Sequence, residues 1–149
     1  MLSSLAGWTT VMVSSQASLK NVQNAAARVL TKTKRTDHIT PILRSLHWLP
    51  VTHRVDFKAL FLIYKSLNGT GPTYLSDMLQ VYTPVRPLRS LKKNLLVMPT
   101  VRTKHGEAAF SWYAAQLWNQ LPEDIKDAPT VASFKSKLKT RLFSVAFGD

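Results

Sequence analysis

The sequence of 149 residues contains no cysteine. Disulfide bonds, thiolate zinc sites, iron–sulfur clusters and a cysteine nucleophile are therefore excluded as features of this chain. The absence fits an intracellular protein, of the nucleus or the cytoplasm. The first 18 residues also lack the basic start and the compact apolar block of a secretory signal, so the sequence predicts a protein that is not secreted.

Long hydrophobic runs are absent as well. The longest apolar run, Ala59 to Tyr64, has six residues, whereas a membrane-spanning helix needs about 20. The sequence therefore predicts no membrane span. The apolar fraction of 45% is that of an ordinary globular protein, and a chain of this length forms one compact domain by default.

Acidic residues are scarce, at eight in the whole chain. Metal-dependent phosphoryl transfer needs carboxylates clustered around two cations about 4 Å apart, and most acids of this sequence stand alone. Glu123 and Asp124 belong to the one cluster, where the dipole of a helix start explains them. The four histidines lack the close helical spacing of a zinc pair. The sequence therefore predicts no metal, no cofactor and no catalytic residue.

Basic residues, by contrast, number 20 and give a formal net charge of +12. Fifteen of them fall in three blocks that contain no acid, residues 1–36, 85–104 and 134–143. Charged blocks are usually solvated faces of a fold, but three blocks without counter-charge favour a polyanionic partner.

The middle of the chain reads SLHWLPVTHRVDFKALFLIYKSLNG over residues 45–69. Apolar residues occur on every side of residues 53–67, and a helix that is apolar all round is a buried one. Asn68-Gly69 supplies the left-handed geometry that ends such a helix. We therefore predict a central core helix over 53–67, preceded by a corner that Trp48 fills as packing material rather than as a ligand contact.

The N-terminal part divides into two segments. Residues 1–18 are small, polar and without pattern, which predicts a poorly ordered leader. From Leu19 a helical period begins, and it places Leu19, Val22, Ala26 and Val29 on one apolar face. We therefore predict a single domain over residues 19–147.

The remaining segments predict further helices around the central one. Threonine is a preferred N-cap, and the predicted N-caps are Thr40, Thr52, Thr73 and Thr130. Prolines interrupt residues 85–105, where we predict an extended basic segment or a short β-ribbon. The predicted fold is mostly α, a small helical bundle around the helix at 53–67.

The last predicted helix follows Thr130 and carries lysines on both sides of an apolar stripe. The stripe consists of Val131, Phe134, Leu138, Leu142 and Val145. Such a helix suits a packed core, and it would also suit weak binding to a surface of anionic lipid. The sequence leaves both alternatives open.

An ordered series of motifs resembles one known family. The motifs are Asn24-Ala25-Ala26-Ala27-Arg28, His38-Ile39-Thr40-Pro41, Leu46-His47-Trp48-Leu49-Pro50-Val51, Tyr64-Lys65-Ser66-Leu67-Asn68-Gly69, Arg89-Ser90, Ala109-Phe110-Ser111, Leu117-Trp118-Asn119-Gln120-Leu121-Pro122, and Phe134-Lys135 through Leu142-Phe143. Over residues 19–143 the chain thereby resembles the C-terminal part of reverse transcriptases encoded by LINE-type, non-LTR retrotransposons of animals.

In that family this region resembles the thumb and the segment beyond it, which follow the polymerase palm. The family's catalytic aspartates lie upstream of anything present here, so the resemblance implies a remnant or truncated product, inactive alone as an RNA-directed DNA polymerase. The chain departs from the family over residues 1–18 and at Ala115, where the family usually has proline. A thumb grips the template–primer duplex mainly through its backbone, which implies a partner that is RNA or an RNA–DNA duplex.

The leading hypothesis is a non-catalytic nucleic-acid-binding domain that grips a phosphate backbone without sequence preference. The alternative is a helical structural or interaction domain, or a pseudogene product, with no nucleic-acid role. The residues predicted to bind nucleic acid come from the three basic blocks: Arg28, Lys32, Lys34, Arg35, Arg86, Arg89, Lys92, Lys93, Arg102, Lys104, Lys135 and Lys139.

Overall fold

The computed structural model of the chain describes residues 3–83, 94–100 and 110–148, with side chains from residue 15 onward. Within these ranges there are seven helices and no strand. The helices are α1 (Ser3–Thr31), α2 (Ile39–Ser45), α3 (Val51–Leu67), α4 (Thr73–Met78), α5 (Phe110–Asn119), α6 (Glu123–Lys126) and α7 (Val131–Phe147). The predicted mostly α, bundle-like fold is confirmed. None of the helices described is long and apolar enough to span a membrane.

The central helix of the bundle is α3, which contacts α1, α4, α5 and α7. Its Leu60 and Ile63 are buried together with Trp118 of α5 and Phe134 of α7. The ring of Phe134 stacks on that of Tyr64 with centroids 4.0 Å apart. The Tyr64 hydroxyl donates to the Ala128 carbonyl at 2.7 Å, which satisfies the one polar group that this aromatic pair buries.

The face that α1 buries differs from the predicted one. Gln23 and Ala27 are buried, whereas Leu19, Val22 and Val29 are more than half exposed. The amide of Gln23 donates to the Leu49 carbonyl at 2.9 Å, and Ala27 packs against Ile42 and Leu43 of α2. The inner face therefore carries a polar residue and a small one, and a search for large apolar residues at helical spacing selected the wrong face. The helix also begins at Ser3, well before the period that starts at Leu19.

Helix starts follow proline more often than threonine in this chain. Of the predicted caps, Thr130 is confirmed, since its hydroxyl accepts from the Ser133 amide at 3.1 Å. The other three predictions were wrong, because α2, α3 and α4 begin after His38, Pro50 and Pro72, none of which makes a side-chain cap bond. An extended proline directs its carbonyl into the first turn, and the Arg54 amide donates to the Pro50 carbonyl at 3.0 Å.

Leu96 lies in a short segment without helix, residues 94–100, and its side chain is buried in the main core. It forms an isolated antiparallel bridge with Val81. The side chain of Asn119 then holds Leu96 from the other side, accepting from its amide and donating to its carbonyl at 2.9 Å each. Extended structure is thus present in this part of the predicted 85–105 segment, and the remainder of that segment lies outside the described residues.

A second, smaller cluster joins α1 to α2. Its buried members are Ala27, Ile42 and Leu43, and the half-buried Trp48 and Phe147 pack against it. The last turn of α7 therefore reaches the α1–α2 unit, while the first turns of α7 belong to the main core. This arrangement places the Trp48 corner between the two clusters.

Candidate nucleic-acid interface

One side of α3 is not buried. Arg54 and Lys58 are exposed on it, one helical turn apart, and Lys65 is half-buried further along. With about 100° of rotation per residue, Arg54, Phe57, Lys58, Phe61 and Lys65 fall within one arc of the helix surface. The all-round apolar pattern predicted complete burial of this helix, and the structure corrects that: α3 has a basic, aromatic edge.

The neighbouring helix α7 adds two lysines to this edge. Lys135 Nζ lies 4.6 Å from the centroid of the Phe61 ring, and Lys65 Nζ lies 5.6 Å from the same ring. Phe61 in turn stacks on Phe57, with centroids 6.4 Å apart. We call the resulting surface the α3–α7 basic face; its cations are Arg54, Lys58, Lys65, Lys135 and Lys139, and its rings are Phe57 and Phe61.

A pocket of about 550 Å³ opens at one end of this face. Three of its lining residues carry cationic groups, Arg54, Lys58 and Lys139, and none of the described lining residues carries a carboxylate. Its remaining lining residues are His47, Trp48, Leu49 and Phe57. The pocket therefore combines a positive potential with flat apolar rings, a combination that suits an anionic ligand with an aromatic part.

The walls of the pocket are held by the corner between α2 and α3. His47 takes a left-handed backbone conformation, with φ of +54°, and its ring stacks on Phe143 of α7 at 5.8 Å. The Trp48 amide donates to the Leu43 carbonyl at 2.8 Å, and Gln23 holds Leu49. The prediction that Trp48 packs at this corner agrees with its contacts to the smaller cluster, but the same residue also lines the pocket.

The acid nearest in sequence to the pocket cations, Asp56, is turned away from them. It lies about 200° around the helix from Arg54, where its carboxylate accepts a hydrogen bond from the Tyr113 hydroxyl of α5. His53 Nδ1 lies 3.6 Å from the same carboxylate. Burial, and secondarily the hydrogen bond and charge of Asp56, hold the pKa of Tyr113 above its usual value, which keeps the phenol protonated as the donor.

The predicted binding residues of the first block lie elsewhere. Arg28 is half-buried and donates to the Asp37 carbonyl at 3.0 Å, which gives it a structural role in the connector between α1 and α2. Lys32, Lys34 and Arg35 are exposed in that connector. None of the four lines the pocket.

Of the remaining predicted residues, two belong to the face. Lys139 lines the pocket, and Lys135 lies over Phe61. The six from the middle block lie outside the described residues: Arg86, Arg89, Lys92, Lys93, Arg102 and Lys104.

Sequence reasoning missed Arg54, Lys58 and Lys65. Asp56 stands between the first two in the linear sequence, so a search for acid-free blocks passed over them. A helical projection carries the missing signal, because it separates Asp56 from the two cations by more than half a turn. Charge patterns need to be read on the predicted helix surface rather than along the chain.

The described residues also bear on the other ligand classes considered. No group of three or more His, Asp or Glu side chains within them is placed to hold a metal ion.

The apolar stripe of α7, which lipid binding would require, is already packed over most of its length. The main core buries three of its members, Phe134, Leu138 and Leu142. Val145, which continues the stripe, is 54% exposed.

Comparison with known proteins adds no relative: no protein-family model, no curated protein and no solved structure matches this chain. The fold and the site therefore assign the protein to a broad structural class, the mostly helical bundles, and give it a basic face lined by aromatic rings.

Proposed function

We propose that this chain is a non-catalytic nucleic-acid-binding domain that holds a phosphate backbone on the α3–α7 basic face. The observation that carries the proposal is the pocket and its surroundings, where cations from two helices converge on aromatic rings and the described part of the lining holds no carboxylate. Lysine and arginine bind phosphates by releasing condensed counterions. The half-buried rings of Phe57 and Phe61 leave part of their surface for contacts with bases.

The resemblance to the thumb region of non-LTR retrotransposon reverse transcriptases supports the same proposal. A thumb contacts RNA or an RNA–DNA duplex through the backbone, which needs positive charge spread along a face rather than a site for one base sequence. Lys65 and Lys135 at Phe61, with Arg54, Lys58 and Lys139 around the pocket, supply such a spread. The proposed partner is therefore RNA or an RNA–DNA duplex, bound without sequence preference.

The test measures binding of labelled RNA–DNA duplex by fluorescence anisotropy across a series of salt concentrations. The affinity of the wild-type protein should fall steeply and linearly on a log–log plot. Replacing Arg54 and Lys58 together by alanine should lower the slope by about 2, since each contact with a phosphate contributes nearly one released counterion.

A matched control removes the same charge elsewhere. Lys20 and Arg141 are both exposed, and Lys20→Ala with Arg141→Ala should leave the slope close to that of the wild type. An equal decrease of the salt slope in both double variants would show that the net charge of the protein, and not this face, governs binding. Absence of binding by the wild type at low salt would reject the proposal altogether.

A second candidate function, a helical interaction domain without a nucleic-acid role, is favoured by one observation. Leu19, Val22, Val29 and Leu30 are 54%, 66%, 76% and 63% exposed, and they fall within one arc of α1. This alternative expects self-association or a protein partner through that arc. Light scattering over a concentration series tests self-association, and Val22→Gln with Val29→Gln should abolish it.

A further inference from the structure

The pocket at the end of the α3–α7 basic face is concave as well as basic. Its volume of about 550 Å³ lies within the range typical of small-molecule sites. Two aromatic rings, Trp48 and Phe57, are part of its lining. Rings in this position are accessible only to a base that has left a base pair.

The geometry points to a site for one unpaired nucleotide: a base against Trp48 and Phe57, with its phosphate among Arg54, Lys58 and Lys139. This inference rests on the proposed function and adds that the chain favours a single-stranded end or overhang next to a duplex. Base stacking on aromatic rings tolerates any sequence, because every base has a π-face. The site should therefore distinguish an unpaired nucleotide from a paired one, and should not distinguish one base from another.

The backbone at the pocket rim is fixed by the end of α2. His47, which lines the pocket, holds a φ of +54° as the left-handed residue that follows the helix C-cap. Its amide donates to the Arg44 carbonyl at 3.0 Å, the Trp48 amide donates to the Leu43 carbonyl at 2.8 Å, and its ring stacks on Phe143. These contacts hold His47 and Trp48 in place in the pocket lining.

The charge of the pocket agrees with a nucleotide rather than an uncharged aromatic ligand. Among the residues that the structure describes, three cations and no carboxylate line it, and the acid of the same helix, Asp56, accepts a hydrogen bond from Tyr113. An occupant with a phosphate group attached to a flat ring complements both parts of the lining. Free phosphate would use the cations alone, and free adenosine would use the rings alone.

The first experiment compares three probes in anisotropy titrations: a blunt RNA–DNA duplex, the same duplex with a five-nucleotide single-stranded overhang, and the single strand. The wild type should bind the overhang duplex at least about fivefold more tightly than the blunt duplex, from stacking of one base. Phe57→Leu keeps an apolar side chain but removes the ring, so it should bring the affinity for the overhang duplex down to the affinity that the same variant has for the blunt duplex. A thermal melt confirms that the variant is folded.

The second experiment uses AMP, adenosine and inorganic phosphate with the wild type and Lys139→Gln. Lys139 is exposed, so its substitution leaves the core intact. The Trp48 indole resonance, assigned with Trp48→Phe, should shift with AMP at lower concentration than with adenosine or phosphate. Lys139→Gln should narrow the difference in affinity between AMP and adenosine, because it removes one of the three phosphate contacts.

The outcomes separate this inference from the proposed function. Equal affinity for blunt and overhang duplexes, with normal salt dependence, would overturn the nucleotide site and leave backbone binding standing. If the wild-type protein binds none of the three nucleic-acid probes and its Trp48 indole resonance does not shift with AMP, the nucleotide site and the proposed function are both rejected. Binding of phosphatidylserine vesicles that Phe57→Leu weakens, without any overhang preference, would assign the pocket to a lipid instead and reject the inference.

Discussion

Tyr113 of α5 donates its phenolic hydrogen to the carboxylate of Asp56 on α3. The pair joins the central helix to its neighbour, and it occupies the one acid that α3 contains. A carboxylate freed from this bond would remain on the helix that carries Arg54, Lys58 and Lys65 of the basic face. The hydrogen bond therefore links the stability of the bundle to the electrostatics of the basic face.

The Tyr113–Asp56 pair predicts a loss of stability at high pH. The pKa of Tyr113 is raised in the folded protein, chiefly by burial. Above the ordinary tyrosine pKa of 10.0, the unfolded chain loses this proton while the folded chain keeps it, so the free energy of unfolding falls as pH rises further. Tyr113→Phe removes this contribution. Between pH 9.5 and 11, a window on the order of one unit around the ordinary pKa, the melting temperature of the variant should fall less than the melting temperature of the wild type.

Tyr74→Phe is the matched control for this experiment. Tyr74 is 64% exposed, and its substitution should leave the pH profile of the melting temperature unchanged. Tyr113→Phe should also lower stability at neutral pH by about 1–3 kcal/mol, because the Asp56 carboxylate loses its donor. Identical pH profiles for the wild type and Tyr113→Phe would contradict the assignment.

Charge introduced into the main core should unfold the protein. Leu60→Asp or Ile63→Asp places an unpaired carboxylate at a site that is 2% or 0% exposed, and the cost should exceed about 3 kcal/mol. Val22→Asp makes the same chemical change at an exposed position of α1 and should cost less than about 1 kcal/mol. Urea denaturation followed by circular dichroism measures the free energy of unfolding of the three variants. Equal costs at the buried and exposed positions would contradict the assignment of Leu60 and Ile63 to the core.

The helix caps provide a comparison between two threonines. Thr130→Ala removes the hydrogen bond to the Ser133 amide and should cost about 1 kcal/mol. Thr52→Ala lies inside the first turn of α3 with no cap bond to lose, and alanine's higher helix propensity should leave stability equal or slightly greater. A larger loss at Thr52 than at Thr130, measured by chemical denaturation, would mean that the helix starts are wrongly placed.

The turn between α3 and α4 predicts unequal effects of two glycine substitutions. A Cβ at Gly71 would lie 2.6 Å from the backbone nitrogen of Ser66, so Gly71→Ala forces the backbone apart at a cost of about 1–3 kcal/mol. Gly69 has open space but a φ of +68°, and Gly69→Ala should cost about 1 kcal/mol. Melting temperatures of the two variants measure which substitution costs more stability. A smaller decrease for Gly71→Ala than for Gly69→Ala would contradict the close approach of residue 71 to Ser66.

The parts of the fold that sequence reasoning could find are those where a local pattern and the tertiary structure agree. The central helix is an example, because its apolar residues also form the main core. The rotation of α1 could not be found, because its buried face consists of Gln23, which bonds to the Leu49 carbonyl, and the small residue Ala27, and a search for large apolar residues selects neither. Proline starts were missed for a similar reason: threonine caps are common, but an extended proline already directs its carbonyl into the helix.

The candidate site could be predicted only in part. Lys135 and Lys139 stood out as members of an acid-free block, but their partners on α3 share a stretch of sequence with Asp56. The pocket itself depends on the left-handed residue His47 and on the packing of α7 against the corner. Such convergence of distant segments has no signature in a single sequence.

The smaller cluster has a consequence for how the molecule opens. Within the described residues it buries three side chains where the main cluster buries fourteen, so α1 and α2 should detach and reseal while α3, α5 and α7 stay folded. Each such opening breaks the bond from Gln23 to Leu49 and removes support from one pocket wall. A nucleotide held in the pocket should therefore slow amide hydrogen exchange in α1, making that helix a remote reporter of occupancy.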